Sequence, residues 1–578
     1  MESTSTRITS ARRSAGIASC PRTYNEHEDA KVASKSRIRS GFTLGGEQAE
    51  ADPLASDAFV ETGLYEVLAS RKDSRSFLVG RTGSGKSAAL QHLEEVHENR
   101  VIRISPEDLS LPYITDMQVI RYMDSLDVKL DLFWIALWKH VLLVEIIRHR
   151  YSVNSPEAKQ RFLSSLREKL VRQPGKQAAL DYLEEFEGKF WCDADERVRE
   201  ITDRFTERLG ADGAIGASST FVGAKLGGNL SSEQSIERRS EIADRYQRIV
   251  NETQLAKLNQ MLVVLNEEIL DDAHFTYIVI DDLDRDWVDE RLSNDLIRCL
   301  FRTVLDMQRV KNLKIVVALR TNIFQELDFG ASGGQEEKFR ALVLEMRWTP
   351  ALLEEVLNHR VRVAARETTL EATSMRDLIP HTNNTRGNPM QYILDRTLLR
   401  PRDAIAYANQ CFAVAAGKTR LMWEDIQNAE RQYSSNRLLA LRDEWKPTYP
   451  GIDRVVQRFH GAPARMQKDD FQKRLEEIML LTADSSFPGT QWLAELSHSM
   501  WDGDAESKSW FELYQPLASL LYSIGLIGCA TSGSSAPVFY TTDPLLAESS
   551  ASLERCHYFH VHRMFHKALD VQKASDSR

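Results

Sequence analysis

The run Gly80-Arg81-Thr82-Gly83-Ser84-Gly85-Lys86-Ser87 constrains this chain more than any other feature. It fills every fixed position of the pattern G-x-x-x-x-G-K-[ST]. In front lies the apolar run Ser76-Phe77-Leu78-Val79, and behind it KSAALQHLEEVHE repeats its apolar residues at helical spacing. Strand, glycine loop and helix in that order form a phosphate cradle. Gly80, Gly83 and Gly85 let the backbone wrap an anion with its N–H groups inward, and the helix adds its positive N-terminus. Arg81, Thr82 and Ser84 complete the loop, Lys86 is placed for the β- and γ-phosphates, and the Ser87 hydroxyl for Mg²⁺, a cation that prefers oxygen ligands.

Such a loop needs a carboxylate at the tip of a neighbouring strand. Tyr277-Ile278-Val279-Ile280-Asp281-Asp282-Leu283-Asp284 supplies it. Asp281 is the expected magnesium partner, directly or through water, and Asp282 the expected general base that polarises an attacking water. Asp284 and Asp286 serve the loop or a partner surface. At the end of the next apolar run, Leu319-Arg320-Thr321-Asn322 sets polar side chains beside the γ-phosphate position, where Arg320 could neutralise developing charge. Leu398-Leu399-Arg400-Pro401-Arg402-Asp403 opens a later helix with proline at a favourable first position. From there Arg402 reaches back to the nucleotide or closes a salt bridge.

The rest of the chain falls into blocks. Residues 1–40, rich in Ser, Thr and Arg, read as a flexible tail. Residues 41–115 and 271–350 form the core, with strands at RVIRI, HFTYIVIDD, KIVVALR and LVLEMRWT. Fully apolar strands alternating with helices predict a parallel sheet covered on both faces. Residues 116–270 are a helical insertion broken by a Gly/Ala/Ser-rich loop at 210–232, residues 351–450 an all-α lid. Residues 465–578 carry helices near 470–482 and 509–524, then a Gly/Ser-tipped hairpin in LIGCATSGSSAPVFYTT, a pattern resembling a winged helix. The fold class is therefore α/β, a nucleotide-binding core with a large insertion, an all-α region and a winged-helix-like end.

These residues together resemble the additional-strand branch of P-loop ATPases, the AAA+/STAND/KAP-like bacterial group. The resemblance rests on GRTGSGKS, IVIDDLDR, VALRTNIF and the RPRD helix start, and covers about 59–110 and 270–410. It implies five parallel strands with a helical lid, ATP rather than GTP, Asp281 on magnesium, Asp282 as base, Arg320 or Asn322 as first sensor and Arg402 as second. The chain departs from ordinary AAA+ members in its long insertion and in having no clear arginine finger. The function expected is a Mg²⁺-dependent ATP-hydrolysing molecular switch. Its rivals are an ATP-ordered protein scaffold that does not hydrolyse, and a DNA-acting ATPase of genome maintenance or phage defence.

Composition trims the partner classes. The formal charge of −10 over 578 residues offers no bulk attraction for nucleic acid, so a DNA role rests on the C-terminal region, where Lys473, Arg474, Lys508, His560, His562 and Arg563 are interspersed with acids. A protein partner is expected, and an oligomer stays open. The six cysteines include no C-x-x-C pair, which suits a reducing cytoplasm. LDLFWIALWKHVLLVEII, interrupted by charges, reads as a buried helix carrying Trp134 and Trp138 and not as a membrane span. The Cys556 to His566 cluster reads as a strand and helix in preference to a zinc site.

Overall fold

The computed structural model describes residues 37–105, 130–153, 156–170, 255–283, 290–327, 336–366, 370–501, 509–546 and 550–572, with isolated positions between. Asp284, Asp286, Lys508, most of the 1–40 tail, the 210–232 loop and much of the expected 116–270 helical insertion lie outside the described residues.

Helix α1 (Gly63–Ala69) precedes strand β1 (Phe77–Gly80), the glycine loop and α2 (Lys86–Val96), and β2 (Val101–Ile104) follows. The insertion contributes α3 (Asp131–Tyr151), α4 (Pro156–Leu170) and α5 (Ala256–Val264). Then come β3 (Thr276–Ile280), α6 (Glu290–Met307), β4 (Leu313–Arg320), the short α7 (Thr321–Glu326) and β5 (Val343–Glu345). The five strands lie in the order β2-β3-β4-β1-β5, and every pair is parallel. Strand β4 is thus wedged between the loop strand β1 and the acidic strand β3.

Side chains alternate across a strand, so each apolar run serves two faces. One face carries Phe77, Val79, Ile278, Ile280, Val317 and Leu319, and packs on Trp134 and Trp138 of α3 and Leu296 and Phe301 of α6. Phe77 and Phe301 stack with their rings nearly parallel. The other face, with Leu78, Tyr277, Val279, Val316 and Ala318, packs on Leu90 and Leu93 of α2 and on Leu68 of α1. Helix α3 is buried on nearly all sides, Lys139 and His140 included, which explains why apolar residues occupy most of its circumference. No described helix is long and apolar enough to cross a membrane.

After β5 the chain forms α8 (Pro350–Arg366), α9 (Pro401–Val414) and α10 (Trp423–Trp445), with shorter turns between. Next come β6 (Arg465–Gln467), α11 (Lys468–Met479), α12 (Trp510–Ser523), β7 (Ile527–Ala530) and β8 (Tyr558–Val561). These last strands make an antiparallel sheet in the order β6-β8-β7. The hairpin expected inside LIGCATSGSSAPVFYTT needs correction. Strand β7 pairs with Tyr558–Val561, and the nearby VFYTT run contributes one bridge, Cys529 to Val538. Pro537, beside that bridge, has no N–H to extend a ladder. The α8–α10 helices, the second sheet and segments from 38 to 58 share one continuous core.

The histidines of the C-terminal strand are structural in this arrangement. His562 is buried, its Nδ1 accepts from the Met564 N–H at 3.2 Å, and burial lowers its pKa to about 3. His560 is lowered to about 4, again mainly by burial. A folded pKa below the unfolded value means that the stabilisation is complete above about pH 6.5 and is lost as pH falls toward the folded values. We expect acid to loosen this sheet between pH 6.5 and 4, at up to about 1.4 kcal/mol per pH unit for His562. A His562→Gln chain should show a flatter profile in denaturant titrations across that window; an unchanged profile would refute the assignment.

Candidate functional site

All the expected site residues except the distal Arg402 emerge at the carboxyl edge of the five-stranded sheet, the edge where open α/β sheets bind ligands. Parallel register sets their heights. Gly80 pairs with Arg320 and Ile280 with Val317, so the loop, the Arg320 end of β4 and the Asp281 tip of β3 share one edge.

The loop conformation follows from its glycines. Gly83 and Gly85 adopt φ of +78° and +97°, a region that side chains rarely enter. At Gly83 a Cβ would also meet the Arg402 side chain at 2.8 Å. Gly85 is the N-cap of α2 and supplies no side-chain acceptor to its first-turn amides. Lys86 folds back so that its ammonium donates to the carbonyls of Gly80 at 2.7 Å and Arg81 at 3.3 Å. The hydroxyls of Thr82 and Ser84 are buried without a protein hydrogen-bond partner.

The outer side of the loop is gripped by residues far away in sequence. Arg400 donates to the Thr82 carbonyl at 2.9 Å, the Arg402 N–H lies 3.4 Å from the Gly83 carbonyl, and the Trp348 indole donates to the Ser84 carbonyl at 2.7 Å. Three successive carbonyls are thereby occupied from outside, which fixes the loop's conformation. The Arg402 side chain lies over Gly83 and donates from Nε to the Glu47 carbonyl at 3.0 Å. Arg81 turns away from the cradle. Its guanidinium, 10 % exposed, donates to the Ile524 carbonyl at 3.0 Å and sits 3.6 Å from Glu444.

Behind this grip lies a buried chain of charges. Asp403, fully buried, accepts from Arg400 at 2.8 Å and from Arg437 at 3.4 Å; Arg400 also pairs with Glu444 at 3.0 Å, and Arg437 with Glu47 at 2.6 Å. Burial pushes the Asp403 and Glu444 carboxyls up, but the adjacent guanidiniums outweigh it and both remain below their usual range.

On the acidic side, Asp281 is buried, with Oδ2 at 3.2 Å from Arg103 and Oδ1 accepting from the Asp282 N–H at 2.9 Å. Asp282 is half-buried and holds φ +61°, a conformation aspartate tolerates better than most residues. Arg320 is half-buried at the end of β4, and Asn322 lines a small crevice with Arg81, Glu444 and Tyr540. Sequence alone assigns no role to Arg400, Trp348 or Arg103. Arg400 stood inside the RPRD run, while nothing local marked Trp348 or Arg103.

Comparison with known proteins bears on two stretches of the chain. Residues 351–442 match the family described as the FunZ-associated C-terminal helical domain. The chain is 22 % identical over 505 residues to the "Putative transposon gamma-delta 80.3 kDa protein" of Escherichia coli (strain K12), covering 84 % of this chain. It spans 61 % of that relative's length. Among solved structures it is similar to the Aeropyrum pernix ORC1 protein in complex with DNA, at 14 % identity and a TM-score of 0.26, over 85 % of this chain and 90 % of that one. The strand order carries the fold, and this superposition adds nothing to it.

Proposed function

We propose that the chain is an ATPase of the P-loop class whose ATP turnover switches the α8–α10 region and the C-terminal sheet against the five-stranded core. The observation that carries this is the loop itself: positive-φ glycines, a lysine folded onto loop carbonyls, three carbonyls clamped from outside and two buried hydroxyls, Thr82 and Ser84, lacking a partner. That is a cradle built for a polyphosphate. The strand order, with β4 between β1 and β3, supports the additional-strand branch. ATP is preferred to GTP on the resemblance.

The donor set also suits a magnesium ion, with the Ser87 hydroxyl and the Asp281 carboxylate as the residues to hold it. When bound, Mg²⁺ neutralises charge on the β- and γ-phosphates. Lys86 would exchange its loop carbonyls for phosphate oxygens. Asp282 would orient and deprotonate the water in line with the γ-phosphate, and Arg320 would meet charge on the transferred group. Arg402, seated on Gly83, would feel any shift of the loop and pass it to α9. We assign residues 41–115 and 271–350 to the core, 351–450 to the lid, and the β6-β8-β7 sheet with its helices to a winged-helix-like unit. Helix α12 contains Glu512 and no Lys or Arg, and in α11 Lys468, Lys473 and Arg474 are outnumbered by four acids, so that unit suits a protein partner better than a DNA groove.

The decisive variant is Asp282→Asn. Asparagine tolerates the left-handed backbone as well as aspartate does, so folding and ATP binding should persist while phosphate release falls by at least about a hundredfold, within the range general-base catalysis contributes. Tight binding with no turnover in either protein would instead identify an ATP-ordered scaffold. Full turnover by the variant would remove Asp282 from the mechanism.

A further inference from the structure

At the opposite, amino-terminal edge of the five-stranded sheet lies a cavity of about 410 Å³. It opens between the turn before β1, the end of α6 and the first residues of β4. Four cationic side chains line it: Arg71, Lys72, Lys311 and Lys314. Among the described residues none of the four has a carboxylate within 4 Å. Arg71 donates to the Asn312 amide oxygen at 3.3 Å and lies over the Phe275 ring, and Lys314 donates to the carbonyls of Asp73 and Arg75 at 2.6 and 2.7 Å.

Two acids share the lining, and among the described residues neither is ion-paired with the four cations. Asp73 is committed to Arg75 at 2.7 Å, a bond that holds its carboxyl well below the usual range. Asp272 is exposed at the rim. Lys314 is the telling member, because it is 3 % exposed, its ammonium is bonded only to carbonyls, and the nearby Asp73 carboxylate offsets only part of what burial costs it. Burial lowers its pKa to about 8. A buried lysine in a cleft is costly for stability and is one of the marks of a functional site. In a chain of net charge −10, four cations without ion pairs to described carboxylates concentrate positive charge around one hollow.

We propose that this cavity binds a small phosphorylated molecule, its phosphate on Lys72, Lys311 and Lys314 and its body against Met307 and Leu313. The volume falls within the range of small-ligand pockets, and the apolar side chains of Val304, Met307, Val310 and Leu313 share the lining with the cations. A concave hollow of this size admits a phosphate ester but not a duplex. The site is separate from the Gly80–Ser87 loop, at the other end of β1 and β4, so it stands or falls independently of the ATPase reading.

Calorimetric titration of the full-length Lys86→Ala chain with pyrophosphate tests it, because that background weakens anion binding at the glycine loop. One saturable equivalent is expected. The added Lys72→Ala/Lys311→Ala pair, two exposed residues outside the core, should weaken binding at least tenfold and leave ATP turnover of the otherwise wild-type chain unchanged. Lys314→Met should do the same, and its thermal melt separates lost binding from lost folding. Absence of saturable binding at millimolar pyrophosphate, equal affinity in the double variant, or displacement of pyrophosphate by duplex DNA would overturn the proposal.

Discussion

A Lys86→Ala chain should fold normally and fail to retain ATP. The ammonium now rests 2.7 Å from the Gly80 carbonyl, a neutral acceptor that it can exchange for a phosphate oxygen. A hydrogen bond between charged groups contributes about 1.5–3 kcal/mol, and the loop geometry offers at least one to each of two phosphates. Losing both should weaken ATP about 10² to 10⁴-fold, since each 1.4 kcal/mol is a factor of ten. Equilibrium binding of a fluorescent ATP analogue measures this directly, with far-UV circular dichroism to establish that the fold is intact. Wild-type affinity in the variant would mean that the nucleotide, if bound at all, sits elsewhere.

The second large effect is on stability and lies outside the loop. Asp403→Asn removes the one carboxylate shared by Arg400 and Arg437, both nearly buried. Breaking a buried ion pair by removing one partner costs about 3–5 kcal/mol, because the remaining charge has no water to return to. Glu444 and Glu47 stay in place for the two arginines, so the lower end of that range is expected. The denaturation midpoint should fall accordingly. Because Arg400 also holds the Thr82 carbonyl, ATP affinity should fall with it, although Asp403 never approaches the phosphate side. An unchanged midpoint would show that the network is electrostatically idle.

What could be read in advance followed from locality. The loop, its flanking strand and helix, and the strands at 101–104, 276–280 and 313–320 are short apolar runs whose pattern depends on near neighbours. The Asp281-Asp282 pair was visible because it ends such a run. The clamp was not visible. Arg400 reaches Thr82 across 318 residues and Trp348 reaches Ser84 across 264, and no periodicity links positions so far apart. The Arg81 side chain was out of reach for a related reason: membership of the loop motif says where its backbone goes, while its side chain obeys a carbonyl 443 residues downstream. Likewise β7 chose Tyr558–Val561 over the nearer VFYTT run, because ladder formation rewards complementary edges and not proximity in the chain.

The Arg81 anchor changes what counts as the minimal folded unit of the loop. A fragment ending at Glu345 would carry every residue of the loop and both aspartates, yet its second loop residue would lack Ile524 and Glu444, and its third would lack Arg400. The peptide that spells the motif is thus not the peptide that gives it its shape. Mechanically, the loop is a pin passing through two plates: strain placed on either plate is felt at the pin, because its second residue is tied to the chain just before β7.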